Sequence, residues 1–548
     1  MGISGVYCFH PERNCVCFTP QPARKLCGGR ELLLARSGDM GGMKEETLLH
    51  GLCARGPCFV ERLNGAFALA FWDETRLMLA RDHLGIQPLF YAVTEDKIIF
   101  GSRPRDLFAL GVKPTVNKEG LRELFALGPA HIPGNCVYVG VEELLPGEFL
   151  LASPEGIHKT TYWRLESRPH TDSFDDTAEK TAVLVRKSVE RDMRTDLPLC
   201  SFLSGGLDSS LVTSICAKKL AREGKRLRTF SFDFTGNDTF YQSHAFQPAR
   251  DTPYALEMAR YLGTEHVQLE CDPMQLADHL ETAMEARDLP GMADIDASLL
   301  YFCGIVGKSH KIALTGECAD ELFGGYPWFR SKEAFNCHAF PWSQDHAARR
   351  TLLHDDVLDE LRLEEYARAA YETSVAQTPR LEGEAPREAR RREIAWLNLR
   401  WFMQTLLGRM HSCAAATGIE ARVPFADARL LEYVWNIPWD MKYREGHAKY
   451  LLRQAGREWL PDSVLWRKKS PYPKTYHPQY AEILASRLRE ILSDPSQPLH
   501  RFVDRQKAEA FLREPPGHGA PWYGQLMAAP QRVAWFLQIN AWMRKYRL

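Results

Sequence analysis

Short apolar runs separated by turn residues dominate the first part of the chain. Between residues 59 and 101 the runs AFALAFW, RLMLA and KIIF alternate with breakers such as 73–75. Runs of this length, bounded by polar turns, are typical of strands in an antiparallel sheet. The segment 137–153 continues the pattern, and its Pro146-Gly147 step predicts a tight turn between two strands. We therefore predict a small, strand-rich domain at residues 1–165.

The pattern changes after 167–176, a polar stretch with Pro and Ser that is predicted to be a linker. Strands and helices then alternate along the chain. The predicted helices are 177–193 and 251–263, and the predicted strands are 228–234 and 265–270, with a strand, a glycine-rich turn and a helix in 198–221. Such alternation is typical of a parallel, doubly wound sheet. Residues 380–416 are Arg-rich and are predicted to be helical. We place the second domain at 175–548. The predicted fold class is α+β followed by α/β.

Composition narrows the class of protein. The 548 residues are 45% hydrophobic and 25% charged, with a net charge of -1. These values are typical of a globular protein, and they argue against a broad surface for nucleic acid or membrane. The sequence contains no apolar run of the roughly 20 residues that a membrane helix needs, and its start lacks the layout of a secretory signal. We expect a cytoplasmic protein.

Fourteen cysteines are scattered along the chain, which does not indicate a disulfide framework. One cluster comprises Cys8, Cys15, Cys17 and Cys27, with His10 nearby. A structural zinc site usually includes a CxxC pair, which this cluster lacks. Ordinary thiols are therefore the favoured interpretation, and a metal site is the alternative.

The strongest local signal for chemistry is SGGLDSS at 204–210, which lies between an apolar strand and an apolar helix. Glycines let the backbone approach an anion closely, and the N-terminus of the following helix favours a phosphate. Asp208 can hold Mg²⁺ against phosphate oxygens. The segment differs from the GxxxxGK[ST] loop because no Lys follows its glycines. The alternative is a glycine-rich turn that binds nothing.

A second segment, LTGECADELFGGY at 314–326, follows another short apolar run. It supplies three carboxylates within a few residues. Asp320 could complete, with Asp208, a site for Mg²⁺ and a pyrophosphate, and Glu317 could act as a base. Read alone, the segment could be an acid-rich helix N-terminus.

Two further segments are basic. GIEARVPF at 418–425 and WRKKS at 466–470 are predicted to place cationic side chains opposite the carboxylates, where a polyphosphate leaving group would need them. In isolation, WRKKS would be an ordinary basic surface segment.

These segments together resemble one known family. SGGLDSS, LTGECADELFGGY, GIEARVPF and VLWRKKSPYPKT occur in the order and approximate spacing of glutamine-dependent asparagine synthetases, and LNGAFALAFWD and ARDHLGIQPLFY resemble the amidotransferase domain of that family. SGGLDSS alone would also suit enzymes that make NAD or GMP or that thiolate tRNA. The resemblance implies an N-terminal, Ntn-hydrolase-like β-sandwich and a C-terminal ATP-pyrophosphatase domain with a helical extension.

The resemblance also implies roles for individual residues. The chain would use ATP and Mg²⁺ to adenylate a carboxylate, with aspartate as the favoured acid. Ammonia would then attack the acyl-adenylate to give the amide and AMP. Asp208 and Asp320 would bind Mg²⁺, Glu317 would be the base, and Lys469 would stabilise the phosphorus centre that is attacked. The ATP site would comprise Phe202, Leu203, Ser204, Gly205, Gly206, Asp208, Ser209, Ser210, Phe232, Thr315 and Gly316. Family relatives are commonly dimers, so a homodimer is expected.

The N-terminal region departs from the family. The family nucleophile is a Cys exposed by removal of Met1, whereas this chain has Gly2 there. Three segments with which the family binds glutamine, RGPD, NGEIYN and a GSD-type segment, have no match in this chain. Lys44 occupies the position of the aspartate in the GSD-type segment. Cys8 would need cleavage after Tyr7 to serve instead. We therefore expect a degenerate domain without glutaminase activity.

Two alternatives remain open. Relatives that lack the cysteine include enzymes that close β-lactam rings or lasso-peptide lactams, in which an amine replaces ammonia. The segments 288–300 and 470–480 instead resemble ordinary asparagine synthetases. The other alternative is a non-catalytic relic, which retention of Asp208, Glu317 and Lys469 argues against.

Overall fold

The computed structural model describes residues 2–8, 15–27, 29–243, 248–343, 350–514 and 521–548. The chain forms two compact units. The first comprises 1–120, 132–166 and 426–429, and the second comprises 121–131, 167–425 and 430–548. The predicted domain bounds, 1–165 and 175–548, stay a prediction.

Two antiparallel sheets form the first unit. One sheet has the order β2-β1-β8-β7-β9 and the other has the order β11-β10-β6-β5-β4-β3. The strands are β1 (Ser4–Cys8), β2 (Cys15–Thr19), β3 (Ala23–Cys27), β4 (Arg30–Ser37), β5 (Ala68–Trp72), β6 (Leu77–Arg81), β7 (Phe90–Val93), β8 (Lys97–Gly101), β9 (Glu142–Glu143), β10 (Glu148–Ser153) and β11 (Gly156–Thr161). This confirms the predicted strand-rich architecture.

The second of these sheets is buried on both faces. One face packs against the other sheet through residues such as Ala70 and Leu79. The opposite face, which includes Leu69 and Phe71, packs against the helix Glu45–Arg55. This explains why β5 and β6 are continuous apolar runs rather than alternating ones.

The turn expected at Pro146-Gly147 does not join two paired strands. It lies directly before β10, but β9 pairs with β7 in one sheet and β10 pairs with β6 and β11 in the other. The predicted tight turn between two strands is confirmed, because Glu148 N donates to Leu145 O at 3.2 Å across Pro146-Gly147. The two strands that it joins belong to different sheets.

A parallel sheet of order β14-β13-β12-β15-β16 organises the second unit. Its strands are β12 (Leu199–Phe202), β13 (Arg228–Phe234), β14 (Glu265–Cys271), β15 (Ile312–Leu314) and β16 (Glu420–Arg422), and a two-stranded ribbon of β17 (Tyr443–Arg444) and β18 (His447–Ala448) follows. The chain runs outward from β12 to β14 and then returns to place β15 beside β12. This reversal leaves a crevice at the carboxyl ends of β12 and β15, where doubly wound sheets bind ligands.

The helices that follow the strands agree with the sequence prediction, and the predicted doubly wound α/β class is confirmed. The chain contains helices Glu45–Arg55, Pro104–Ala109, Lys118–Leu127, Phe174–Asp192, Leu207–Arg222, Asn237–Phe240, Thr252–Leu262, Pro273–Arg287, Asp294–Val306, Ala319–Phe323, Lys332–Asn336, Asp355–Leu361, Leu363–Ala376, Pro386–Leu397, Met403–Ala416, Ala428–Trp435, Trp439–Lys442, Tyr450–Ala455, Asp462–Leu465, Pro478–Ser493, Arg505–Arg513 and Ala529–Tyr546. The Arg-rich region is two helices joined by a π-helical turn at Asn398–Phe402. In the described part of the chain no helix is long and apolar enough to cross a membrane.

Candidate active site

A cavity opens at the carboxyl ends of β12 and β15, within the second unit. Most of the predicted site residues line it: Phe202, Leu203, Ser204, Gly206, Asp208, Ser209, Phe232, Thr315, Gly316, Glu317, Asp320 and Lys469. The predicted residues Gly205 and Ser210 do not line it. Loops that are far apart in sequence therefore meet at one place because their strands are neighbours in the sheet.

The loop after β12 folds tightly on itself. Ser209 Oγ lies 2.9 Å from Ser204 Oγ and accepts a hydrogen bond from Ser204 N at 3.2 Å. Gly205 has a φ of +71°, and a Cβ there would overlap the backbone nitrogen of Ala255. At Gly316, on the neighbouring loop, an added Cβ would lie 2.6 Å from Ser209 N. Glycine is therefore required at both positions for the two loops to pack against each other.

Asp208 and Asp320 converge on one buried lysine. Lys449 Nζ donates to Asp208 Oδ1 at 2.8 Å and Oδ2 at 2.6 Å, and to Asp320 Oδ1 at 2.7 Å. Lys469 Nζ lies 2.5 Å from Asp320 Oδ2. Two carboxylates and two ammonium groups thus form one compact cluster in the wall of the cavity.

The charges in this cluster stabilise one another. Burial opposes ionisation of Asp320, but Lys449 and Lys469 outweigh it and lower the pKa of its carboxyl. Burial likewise disfavours the charged form of Lys469, yet Asp320 and Asp208 raise its pKa. Asp320 and Lys469 are therefore held in their charged states, whereas burial outweighs Lys449 at Asp208 and raises the pKa of its carboxyl.

The residues present fit a magnesium ion together with a phosphate ligand. The carboxylate oxygens of Asp208 and Asp320 already surround a single cationic group, the Lys449 ammonium, at 2.6 to 2.8 Å. Mg²⁺ is usually held by one or two carboxylates with substrate phosphates and water completing its shell. Among the described residues there is no group of three or more candidate metal ligands, so the remaining ligands would come from the substrate.

Glu317 lines the same cavity beside a buried arginine. Arg409 Nη2 donates to Glu317 Oε1 at 2.9 Å, and the Arg409 side chain is only 3% exposed. The guanidinium also lies 5.0 Å from the ring centre of Tyr472. Burial disfavours the charged form of Arg409. The charge of Glu317, with smaller contributions from Tyr472 and Asp296, outweighs burial and raises the pKa of Arg409. The pair fixes the carboxylate of Glu317 at the cavity wall.

Aromatic side chains form another part of the cavity wall. The ring of Phe302 lies 4.7 Å from Phe202 and 5.5 Å from Phe232, and Phe232 stacks on Tyr472 at 6.2 Å. An aromatic, apolar wall beside a phosphate-type loop is suited to a purine base. This wall lies at the ends of β12 and β13, where the sequence analysis placed the nucleotide.

Glu321, next to Asp320, is buried and paired with a tyrosine. The Tyr326 hydroxyl donates to Glu321 Oε1 at 2.7 Å. Burial, reinforced by the charge of Asp320, raises the pKa of Glu321 to about 8. This carboxyl is therefore protonated at neutral pH, unlike its neighbour Asp320.

Several residues of the cavity were not identified from the sequence. Lys449, Arg409, Tyr472 and Phe302 lie outside the recognised segments or were not singled out within them. Arg422, which was expected opposite the carboxylates, instead bonds Glu420 and backbone carbonyls outside the cavity. That expectation was wrong, since β16 is the edge strand of the sheet and the Arg422 guanidinium donates to the carbonyls of Asp192 and Arg194.

In the first unit, Gly2 precedes β1 in a crowded position. An added Cβ would lie 2.8 Å from Ser102 Cβ, and Ile3 N donates to Ser102 Oγ at 2.9 Å. Cys8 is opposite Cys15 in the β1–β2 register, and burial raises the pKa of its thiol. His10 lies outside the described residues. The described cysteines show no group that could hold a metal ion.

The parallel sheet, the glycine-rich loop and the paired carboxylates at the switch point define an ATP-pyrophosphatase-type enzyme. The asparagine synthase family model matches residues 180–544, and the glutamine amidotransferase domain model matches residues 41–163. The chain therefore belongs to the asparagine synthase family, whose members use ATP, and it is a carbon–nitrogen ligase that produces AMP and pyrophosphate.

Individual relatives agree with this assignment. Glutamine-hydrolysing asparagine synthetase 3 of Bacillus subtilis (strain 168) is 44% identical over 508 residues, covering 92% of this chain and 82% of the relative. Glutamine-hydrolysing asparagine synthetase 1 of the same organism is 27% identical and covers 75% of this chain and 68% of the relative. Amidase chyE of Penicillium rubens is 26% identical, covering 84% of this chain and 78% of the relative.

Proposed function

We propose that this protein is an asparagine-synthetase-type amide ligase that activates the side-chain carboxylate of aspartate with ATP and then transfers ammonia to it. One observation carries the proposal: Asp208 and Asp320, on loops after neighbouring strands, share the ammonium of Lys449 at 2.6 to 2.8 Å. The cluster is built for a polyphosphate, because its carboxylates suit a metal and its lysines suit phosphate oxygens.

The first half-reaction would join the carboxylate to the α-phosphorus of ATP. A carboxylate is a poor electrophile, and the mixed anhydride with AMP gives it a good leaving group. Mg²⁺, when bound at Asp208 and Asp320, would neutralise charge on the departing pyrophosphate. Lys469, held near the same oxygens by Asp320, would donate to the phosphate as negative charge grows on it.

The second half-reaction would need a group that orders the nitrogen nucleophile and takes its proton. Glu317 lines the cavity and is the proposed base. Arg409 holds its carboxylate in one orientation, which would keep the accepting oxygen directed at the acyl carbon. Glu317 would thus act directly, and Arg409 would act by positioning it.

We further propose that the first unit has lost glutaminase activity. A cysteine at position 2 would require Ser102 to move, because an added Cβ on Gly2 would lie 2.8 Å from Ser102 Cβ. The raised pKa of Cys8 disfavours the thiolate that an alternative nucleophile would need. The amidotransferase domain match covers 41–163 and leaves the β1 region outside it. Ammonia would then come from solution or from a partner.

The test is pyrophosphate release by the purified full chain with ATP, Mg²⁺, an acid and a nitrogen donor. Aspartate with ammonium should release pyrophosphate and form asparagine and AMP, and glutamine should not replace ammonium. Turnover with glutamine would contradict the loss of glutaminase activity. Exchange of pyrophosphate into ATP that is already at background in the wild type, as in Glu317→Ala, would instead indicate a non-catalytic relic.

A second candidate function is favoured by the lining of the cavity near Glu317. Phe402, Leu406, Met410 and Leu526 give this part of the wall an apolar surface. Ammonia needs no such surface, whereas an amine with an apolar substituent would bury it there. In that case the nucleophile would be an amine and the product a substituted amide or lactam. Amines tested in competition with ammonium distinguish the two candidates.

A further inference from the structure

Two cysteines of the first unit lie in contact with each other. Cys27 is the last residue of β3, and Cys53 lies in the helix Glu45–Arg55. Their sulfur atoms are 2.6 Å apart, although the two residues are separated by 26 positions in the sequence. Cys53 is exposed and Cys27 is half-buried, so small molecules in solution can reach the pair.

The packing of the helix on the sheet holds the two thiols together. Leu49 and Leu52 of the helix are buried in the core on this face of the sheet, and the side chain of Cys27 packs against the same core. Cys53 follows Leu49 by four residues, so the two side chains lie on the same face of the helix, one turn apart. Buried apolar contacts therefore fix the elements that carry both sulfurs.

Thiols in this arrangement can be joined by oxidation. Two cysteines whose side chains point apart cannot form a disulfide without movement of the backbone, whereas these two sulfurs already share a hydrogen bond. We propose that Cys27 and Cys53 are a redox-modification site, at which a small disulfide oxidant such as glutathione disulfide converts the two thiols to an intramolecular disulfide.

The reaction consists of two thiol–disulfide exchanges. The thiolate of one cysteine attacks a sulfur of the oxidant, which gives a mixed disulfide and releases one glutathione thiolate. The second cysteine then loses its proton, and its sulfur attacks the protein sulfur of the mixed disulfide and releases the second glutathione. In total the protein loses two protons and two electrons, and the oxidant becomes two thiols.

Basic side chains beside the pair suit an anionic oxidant. Lys25 lies in the same strand as Cys27, and Arg30 is opposite Cys27 in the β3–β4 register. The hydrogen bond with Cys27 is the main cause that raises the pKa of the Cys53 thiol, whereas the charges of Lys25 and Arg30 lower it. The two cations therefore favour the thiolate that attacks, and they attract the carboxylates of glutathione disulfide.

The disulfide would fasten an edge strand. β3 is the last strand of its sheet and pairs with β4 on one side. A bond from Cys27 to Cys53 would tie this edge to the helix Glu45–Arg55 and close a loop that includes β4. Closing such a loop restricts the unfolded chain, so the edge strand and the helix should open less often when the pair is oxidised.

The test is incubation of the purified full-length protein with glutathione disulfide, followed by alkylation of free thiols and tryptic mapping. In the wild type, the peptides 26–30 and 45–55 should be recovered joined by a disulfide that dithiothreitol releases. Cys27→Ser and Cys53→Ser should instead stop at the mixed disulfide with glutathione on the remaining cysteine. Cys58→Ser, which changes another exposed thiol, should form the disulfide as the wild type does.

Hydrogen exchange measures the effect on the edge strand. Amides of β3 and of the helix should exchange about tenfold or more slowly in the oxidised wild type than in the reduced protein, and the oxidant should not slow them in Cys53→Ser. Retention of both thiols in the wild type, or a crosslink of Cys8 to Cys15 in place of this one, would overturn the proposal. Unchanged exchange after the crosslink has formed would overturn the fastening of the edge. None of these readouts requires catalysis, so they do not depend on the proposed function.

Discussion

Arg409 Nη2 lies 2.9 Å from Glu317 Oε1, and the two residues are 92 positions apart in the sequence. The arginine side chain is 3% exposed, whereas that of Glu317 is 19% exposed. The buried partner therefore anchors the more accessible one. If Glu317 is the base in the transfer of ammonia, loss of Arg409 should slow that transfer. It should affect adenylation of the acid much less.

Arg409→Met should separate the two half-reactions. Amide formation should fall about 100-fold or more, which is the usual contribution of a positioned base. Acid-dependent exchange of pyrophosphate into ATP should fall much less. Arg409→Lys, which keeps the charge but not the fork geometry, should recover part of the amide activity. Equal losses in both assays would show that Arg409 has a structural role.

Lys449→Met should expose the repulsion between Asp208 and Asp320. Removing one partner of a buried charge cluster costs about 3–5 kcal/mol of unfolding free energy. Adding Asp320→Asn to this variant should recover part of the loss, because the number of uncompensated carboxylates falls. Denaturant unfolding of the two single variants and the double variant measures the coupling. Additive effects would contradict a direct interaction between Lys449 and Asp320.

Gly205→Ala and Gly206→Ala form a matched pair. A methyl at Gly205 meets the backbone of Ala255 at a φ of +71°, whereas at Gly206 the nearest atom is Ser204 Oγ at 3.4 Å. The first change should lower the unfolding free energy by about 2–3 kcal/mol. The second should cost less than about 1 kcal/mol. Similar losses in urea denaturation would contradict the tight packing of this loop.

Glu321 should make stability depend on pH. Its pKa is about 8 in the folded protein and near 4.5 in the unfolded chain, so the unfolded state releases the proton first as the pH rises. Its contribution to stability is thus present in acid and is lost between about pH 4.5 and 8, by at most about 1.4 kcal/mol per pH unit.

Glu321→Gln keeps an acceptor for the Tyr326 hydroxyl and removes the titration. Unfolding free energies measured from pH 5 to 8 should decline less steeply for this variant than for the wild type. Parallel declines in the two proteins would show that Glu321 ionises normally when folded.

The first three strands of the parallel sheet in the second unit could be predicted from the sequence. Short apolar runs followed by helices identified β12, β13 and β14, and the prediction of β13 as 228–234 matches Arg228–Phe234. The glycines of SGGLDSS were expected to let the backbone approach an anion, and at Gly205 the close approach in the structure is to the backbone of Ala255. These features are local, so the residues near each position carry the signal.

Residues brought in from distant segments could not be predicted. Lys449 is 241 positions from Asp208, and nothing in its neighbourhood distinguishes it from an ordinary surface lysine. In the first unit, the sheet assignment of β9 and β10 depends on strand pairing rather than on the turn between them. Tertiary packing decides both, and a single sequence contains no direct record of it.

The account depends on adenylation of a carboxylate at the Asp208–Asp320 cluster. The most direct measurement is exchange of labelled pyrophosphate into ATP by the purified protein with Mg²⁺, without a nitrogen donor, across a panel of amino-acid carboxylates. We predict exchange that requires the acid, is strongest with aspartate, and is lost in Asp208→Asn and Asp320→Asn variants that remain folded. Absence of acid-dependent exchange for every acid, or exchange that both variants retain, would contradict the account.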